Sequence, residues 1–307
     1  MNFDIVALVL GIAVPIVLAA VGGSFSAQVN VFNVGLEGMM LAGAFFGFWA
    51  SHVSGNVVLG FAAGALAGML AALVLSLIIN TLGGDEIVAG IAFNLAMLGL
   101  TATLLSTIFG TQGSALSREA GTVGTFGEVL AGIPLVGSML SRLDVVIVFM
   151  IALVVAASLF SARTSHGLRL RAVGSSLEAA RAAGISIARY KYLAFAIGGV
   201  LCGIGGAYLP LASLSIYTNN MTAGLGFIAL AAVIMSGGRP LIAALAALLF
   251  AIASAVGIQL QSSGLPNEIV LAVPYLAAIA AVVWRAVTQR KRLGTLSRTG
   301  REERASG

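Results

Sequence analysis

The stretch Arg163–Lys191, RTSHGLRLRAVGSSLEAARAAGISIARYK, divides a chain that is otherwise almost entirely apolar. It carries five arginines and one lysine. Near its centre, SSLE at 175–178 has the pattern of a capping box, in which a Ser oxygen accepts a backbone N–H and the Glu reaches back to the cap. Alanines follow at once, and Gly184 suits a helix C-terminus. The pattern predicts a surface helix of about two turns that acts as a docking element.

The composition places the chain in a membrane. Of its 307 residues, 59% are hydrophobic and 9% are charged, and the mean hydropathy is +1.07. A soluble domain carries about 25% charged residues. Several runs of about 20 apolar residues follow one another, and each is long enough to cross a hydrocarbon core about 30 Å thick. We therefore predict an all-α, polytopic transmembrane helical bundle.

Nine spans can be placed on the chain, with a break after the first. The predicted spans are about 5–21, 36–51, 57–77, 87–109, 145–161, 192–211, 222–236, 241–258 and 269–287. Residues 22–38 are too polar for lipid and too apolar for water, which predicts a broken or re-entrant segment buried in protein, or a short tenth span. Glycines at 60, 64 and 68, and a second group at 198–206, predict faces of close helix packing.

The basic residues define the orientation. Residues 163–191, Arg239 and 285–304 together hold 14 of the 16 basic residues, and the predicted spans place all three on one side. The positive-inside rule makes that side cytoplasmic. With nine spans the N-terminus lies outside, and with ten it lies inside. The same distribution explains the net charge of +5 without nucleic acid.

The sequence contains no recognisable catalytic or nucleotide-binding site. It has no His-x-x-x-His pair, and Cys202 is its single cysteine, so no metal site is predicted. A phosphate-binding P-loop needs Gly-Lys followed by Ser or Thr, whereas Lys191 and Lys291 follow Tyr and Arg. We expect no cofactor in this chain, so any nucleotide chemistry must belong to another polypeptide.

Glu37 is the one acid within a predicted span, and Asn33 lies close to it in sequence. An intramembrane carboxylate is costly and is a functional candidate by default. Glu37 either bonds backbone N–H groups freed by the broken segment or contacts a solute or partner. Asn94, in the fourth span, either bonds between helices or lines the path. A path so poor in fixed charge suits a neutral, polar solute, and Asn33, Glu37 and Asn94 are its candidate residues.

Two segments show a faint internal repeat. GLEGMMLAG (35–43) and GLGFIALAA (224–232) agree at four of nine positions and run in opposite directions in the predicted topology. Inverted repeats are common in transport folds. In a chain so rich in Gly, Ala and Leu, a chance match stays open.

Five segments together resemble the permease subunits of bacterial ABC importers. They are NVGLEGMMLAGAF (33–45), GDEIVAGIAFNLAMLGLT (84–101), LRLRAVGSSLEAARAAGI (168–185), GLGFIALAAVIMSGGRP (224–240) and VPYLAA (273–278). The chain is most similar to the branch that handles nucleosides and simple sugars, which is related to the branched-chain amino-acid permeases. The resemblance covers about residues 5–287. It implies a transmembrane permease domain over 1–287 with a coupling loop at 162–191. The basic, polar composition of residues 288–307 predicts a disordered cytoplasmic tail.

The resemblance also implies the partners and the coupling residues. Such permeases pair with a second permease, identical or homologous, with two cytoplasmic ATPase subunits that hold ATP and Mg²⁺, and with an extracytoplasmic binding protein or lipoprotein. The protein is then expected in the bacterial cytoplasmic membrane, with loop and C-terminus cytoplasmic. Because the loop is short, the expected fold is of the vitamin B12-importer type. The positions that match the coupling helix and its flanks are Arg171, Glu178, Ala179, Ala180, Arg181 and Gly184.

Three alternatives remain at the level of sequence. The chain could carry branched-chain amino acids within the same family. It could be an ion-coupled secondary transporter, although such coupling normally needs more than one intramembrane carboxylate or a cation site. It could also be a receptor or structural subunit in which the helix at 176–184 docks a partner without a gated path.

Overall fold

The structure, a computed structural model, describes residues 3–117, 145–212 and 215–261. These ranges contain ten helices and two short strands. The helices are α1 Phe3–Gln28, α2 Leu36–Ser54, α3 Val57–Asn80, α4 Glu86–Phe109, α5 Val145–Arg163, α6 Ser165–Ser175, α7 Leu177–Ala182, α8 Ile187–Leu211, α9 Leu225–Ser236 and α10 Pro240–Gln261, and the strands are β1 Ser114–Leu116 and β2 Ile216–Thr218. Six of the helices, α1, α3, α4, α5, α8 and α10, are long and apolar enough to cross a membrane.

The predicted transmembrane helical bundle is confirmed over the described ranges. Eight of the nine predicted spans coincide with α1 to α5 and α8 to α10. The ninth, at 269–287, and the basic tail at 288–307 lie outside the described residues. The seventh is shorter than predicted, because α9 has 12 residues and rises about 18 Å, which is too little to cross the hydrocarbon core alone.

The break after the first span is shorter than the sequence suggested. Helix α1 continues through Gln28, so residues 22–28 are helical and only 29–35 interrupt the helix. The prediction of a break from residue 22 was wrong because the serines there satisfy their hydroxyls inside the helix. Ser24 Oγ donates to the Val21 carbonyl at 2.7 Å, and Ser26 Oγ donates to the Gly23 carbonyl at 2.8 Å.

Helix α8 lies at the centre of the bundle, and its glycines let three neighbours approach closely. A Cβ at Gly198 would lie 2.9 Å from the carbonyl oxygen of Gly22 on α1. The same added atom at Gly203 would overlap Gly64 of α3, and at Gly206 it would overlap Met40 of α2. Both predicted glycine faces are thereby confirmed as close-packing faces, because larger side chains would hold the backbones apart.

The helix ends gather at two opposite faces. Gln28 ends α1 beside Gly174 of α6 and Gly238 of the α9–α10 turn. We name this end of the bundle the basic face, because it also carries the arginines of α6 and α7. At the opposite end, β1 and β2 pair antiparallel, with Ser114 opposite Thr218. Helix α2 therefore runs away from the basic face and α9 runs toward it.

A buried aromatic cluster supports the strand pair. Tyr217 of β2 is fully buried, and its ring stacks on Phe48 with centroids 5.9 Å apart and meets Phe45 edge-on at 5.4 Å. The strands were not predicted, since each has three residues, and neither was α6.

Candidate functional site

The start of α9 is held by the carboxylate of Glu37 from α2. One carboxylate oxygen accepts the Gly224 backbone N–H at 2.8 Å and the Thr222 hydroxyl, and the other accepts the Gly226 N–H at 2.6 Å. The first N–H groups of a helix have no partner within it, and a negative charge there is favourable. Glu37 is 5% exposed. It therefore acts as an N-terminal cap supplied by another helix.

Asn33 and Asn94 hold the start of α2 in a similar way. Asn33 Oδ1 accepts the Gly35 N–H at 3.0 Å. Asn94 of α4 bonds both ways across the break, since its Oδ1 accepts the Gly38 N–H at 2.9 Å and its Nδ2 donates to the Val34 carbonyl at 3.0 Å. Both side chains are buried. Backbone groups exposed by a break inside an apolar bundle need such partners.

The structure thus brings together all three side chains predicted for the pathway. Asn33, Glu37 and Asn94 meet where α2 begins, and each bonds to backbone groups freed by a helix end. Their contact with a solute stays a prediction. The bonds of Glu37 go to the second helix start at 224–226 and not to the break at 29–35. The two segments with the repeated pattern each open a helix after a glycine, Gly35 or Gly224.

The predicted docking helix is present on the basic face as α7. Its C-terminal turn is as predicted, with Gly184 at φ +72° and the Ile185 N–H donating to the Ala180 carbonyl at 3.0 Å. Its N-cap is Ser176, whose oxygen accepts the Ala179 N–H at 3.2 Å. The full capping box was wrong, because Glu178 then lies one position too early to reach back to the cap.

The coupling positions divide into an exposed group and one buried residue. Five of the six residues are exposed, namely Arg171, Glu178, Ala179, Arg181 and Gly184. Ala180 is 2% exposed and packs into the core of the bundle. The prediction that Ala180 belongs to the contact face is therefore corrected. The exposed surface at these positions is formed by the other five residues alone.

Helix α6 connects α7 to the core. Gly174 lies against the Gln28 carbonyl so closely that any side chain there would overlap it. The Gln28 side chain accepts the Ser161 hydroxyl at 2.9 Å and lies beside Gly238, at the end of α9. Gln28 therefore joins α1, α5, α6 and the turn after α9. No sequence motif marked this residue, since its partners are 133 or more positions away.

Within the described residues, no three His, Cys, Asp or Glu side chains are grouped so that they could hold a metal ion. The single cysteine, Cys202, is buried in α8. The chemistry of the described site is that of hydrogen-bonded helix ends in an apolar bundle.

Comparison with known proteins gives the family and several relatives. The family profile of the branched-chain amino acid transport system permease component matches residues 5–282. The chain is 32% identical to a candidate glucose ABC transporter permease protein, TsgC13, of Haloferax volcanii, over 93% of this chain and 92% of that protein. It is 32% identical to the guanosine ABC transporter permease protein NupQ of Bacillus subtilis, over 88% of each. It is also 32% identical to the nucleoside ABC transporter permease protein NupC of Lactococcus lactis, over 90% of each.

A solved structure shares the fold. It is a candidate metal-chelate type ABC transporter in an inward-facing conformation, with a TM-score of 0.51 and 15% identity over 91% of this chain and 85% of that one. At this identity the likeness concerns the fold alone, and it agrees with the expectation of a vitamin B12-importer type of bundle.

Proposed function

Since the chain belongs to the branched-chain amino acid transport system permease component family, we propose that it is the membrane-spanning subunit of an ATP-driven importer for a nucleoside or a simple sugar. The observation that carries the proposal is the set of relatives at 32% identity over nearly full length, which are named for guanosine, nucleosides and glucose. The chain is a multi-pass membrane protein. ATP hydrolysis is assigned to a separate subunit, because the sequence has no P-loop.

The site supports a neutral solute. Glu37 is the one acidic or basic residue that is buried within the described spans, and its two oxygens are occupied by three donors. A fixed charge that is already paired offers little to an anion or a metal ion. This arrangement also speaks against ion coupling, which needs a carboxylate or cation site that can exchange its partner.

The basic face supports the coupling role. The exposed part of α7 presents Glu178, Ala179 and Arg181 to the surface, and α6 connects α7 to Gln28. In the proposed mechanism, ATP binding closes the ATPase dimer and pushes α7. Helix α6 passes the movement to the end of α1 and to the turn after α9, and the two permeases rock as rigid bodies between two access states.

The partners follow from the same proposal. They are two ATPase subunits at the basic face, a second permease that is identical or homologous, and a solute-binding protein or lipoprotein at the face of β1 and β2. The basic face is then cytoplasmic and the N-terminus of α1 lies outside. Mass spectrometry of the complex purified from native membranes in mild detergent tests this assembly. Recovery of the chain without a P-loop ATPase would contradict it.

Uptake by the reconstituted complex tests the solute. We expect ATP-dependent uptake of labelled nucleoside or sugar that excess unlabelled compound abolishes. The family name favours one second candidate, a branched-chain amino acid. Competition of uptake by leucine, isoleucine or valine, with no competition by nucleosides or sugars, would select that candidate instead. Uptake that needs an ion gradient and no ATP would indicate a secondary transporter.

A further inference from the structure

We infer that a groove between α3 and α5 binds one anionic phospholipid of the leaflet at the basic face. Its mouth encloses about 400 Å³ and is lined by two basic side chains, Arg189 and His166, together with Tyr192. The inference rests on the membrane-spanning fold and is independent of the transported solute.

The mouth has the composition of a phosphate site. Arg189 and His166 approach it from two elements, α8 and the first turn of α6. Both side chains are exposed, and within the described residues no carboxylate pairs with Arg189. A guanidinium matches the geometry of a phosphate, and basic pockets between transmembrane helices on the cytoplasmic side are suited to lipid headgroups.

The polar groups at the mouth are held in place by neighbours. His166 Nδ1 lies 3.2 Å from the Tyr190 hydroxyl, and Arg169 donates to the same hydroxyl at 3.1 Å. The hydroxyl of Tyr192 lies 2.6 Å from that of Thr81, at the end of α3. These bonds fix the side chains that surround Arg189, so the mouth is a formed site at the junction of α3, α6 and α8.

The apolar part of the groove continues directly from the mouth. Phe160 of α5 and Ala196 of α8 line both parts. The second part encloses about 430 Å³ and its polar surface is very small, with Met69 of α3 and Leu153 of α5 on its sides. From Arg189 to Leu201, α8 rises about 18 Å, which is close to the depth of one leaflet, about 15 Å.

A basic mouth followed by an apolar groove favours a phospholipid over a protein helix as the occupant. A headgroup phosphate would bind Arg189 and His166, and an acyl chain would lie along Leu153, Phe160 and Ala196. A helix from the same chain or from a second permease would fill an apolar groove without needing two basic groups at its mouth. Because the mouth includes the start of α6, the lipid would also stabilise the position of the element that precedes α7.

Native mass spectrometry of the complete complex, exchanged into nanodiscs of phosphatidylglycerol or phosphatidylcholine, tests the inference. Wild-type protein should retain one phosphatidylglycerol per chain and little phosphatidylcholine. Arg189→Gln should lower the affinity about fivefold, which corresponds to about 1 kcal/mol per basic residue near the surface, and His166→Gln should add to the loss. Arg239→Gln is the matched control, because Arg239 is exposed on the same face but does not line the groove.

A second pair of variants tests whether the lipid occupies the apolar part of the groove. Ala196→Phe fills the junction of the two parts, whereas Ala188→Phe adds the same ring at an exposed position of α8 outside them. Only the first should displace the lipid. A photoactivatable phosphatidylglycerol should label peptides that contain Leu153–Phe160 or Arg189–Leu201. Equal retention of both lipids, or equal effects of Arg189→Gln and Arg239→Gln, would overturn the inference. So would crosslinking of a photoactivatable amino acid at position 196 to another protein segment in place of lipid labelling.

Discussion

The carboxylate of Glu37 accepts the backbone N–H of Gly226 at 2.6 Å, although the two residues are 189 positions apart. One helix thereby supplies the N-terminal cap of another, in the interior of the bundle. The cap lies where two antiparallel helices with the same glycine–leucine start meet, at Gly35 and Gly224. The position of α9 is therefore fixed by a side chain of α2.

Replacement of Glu37 should reduce stability in proportion to the acceptors that are lost. Glu37→Ala leaves the buried Gly226 N–H and the half-buried Gly224 N–H without a partner, so we expect the free energy of unfolding to fall by about 3 kcal/mol. Glu37→Gln retains one acceptor oxygen and should lose less. Thermal unfolding of the purified protein in detergent measures both, with Glu178→Gln at the exposed surface as control. Full stability of Glu37→Gln together with abolished uptake would assign Glu37 to the solute.

Charge reversal on α7 should separate docking from folding. Glu178 is exposed on the basic face, so Glu178→Arg should leave thermal unfolding unchanged and reduce co-purification of the ATPase at least tenfold. Ala180→Arg places a charge in the core, where Ala180 is buried, and should instead destabilise the protein by several kcal/mol. If both variants bound the ATPase as the wild type does, α7 would not be the docking helix.

Two substitutions at Gly184 should distinguish backbone strain from contact. Gly184 has φ +72° and open space around it, so Gly184→Ala adds about 1 kcal/mol of strain and no clash. Gly184→Arg adds the same strain and a bulky charge at the docking surface. We expect both to unfold at similar temperatures and only the arginine variant to lose ATPase co-purification. Equal binding by the two variants would exclude Gly184 from the interface.

Alanine variants at two glycines should differ in stability, because only one of the two glycines lies on a close-packing face. At Gly64 of α3, a Cβ would lie 2.7 Å from Ala207 Cβ and 2.9 Å from the Gly43 carbonyl oxygen. Gly64→Ala should cost about 1–3 kcal/mol through overpacking. Gly99 of α4 has nothing within 4 Å, so Gly99→Ala should be neutral or stabilise by about 0.5–1 kcal/mol. Thermal unfolding compares the two, and a larger loss for Gly99→Ala would contradict the packing around α8.

Ionisation of the buried Tyr217 should lower the stability of the protein at alkaline pH. Burial raises the pKa of the Tyr217 hydroxyl above its ordinary value of 10. A group with a raised folded-state pKa contributes stability that is complete below the unfolded pKa and is lost as pH rises through the folded one. The wild type should therefore lose stability above about pH 10 faster than Tyr217→Phe, which cannot ionise. Parallel melting temperatures from about pH 9 to 11 would contradict this.

The spans were predictable because an apolar run of about 20 residues fits a membrane-spanning helix and few other structures. The polar stretch after the first span was misread, since its composition does not reveal that Ser24 and Ser26 satisfy their own hydroxyls within α1. With three residues each, β1 and β2 are too short to show the alternation of apolar and polar residues that predicts a strand. Each is defined by pairing with a segment about 100 positions away.

The sequence predicted the side chains of the candidate site, Asn33, Glu37 and Asn94, but it did not predict their hydrogen-bond partners. The cost of an intramembrane carboxylate singled out Glu37, but the chain alone does not show that its partners are Thr222, Gly224 and Gly226. The existence of α7 was predictable from its capping residues, although the full capping box did not form. The burial of Ala180 was not predictable, because it depends on how α7 lies against the core. Gln28 was missed because an ordinary polar residue at a helix end carries no local signal.

The strand pair has a mechanical consequence. Hydrogen bonds between β1 and β2, with Tyr217 inserted between Phe45 and Phe48, tie the connection after α4 to the connection after α8. The His52 ring adds a bond to Ser117 at 2.8 Å. Opening this end within one subunit would require shearing that ladder. In the proposed pair of permeases, this end should therefore open between the two chains. Each chain should tilt as one rigid body when a partner pushes α7.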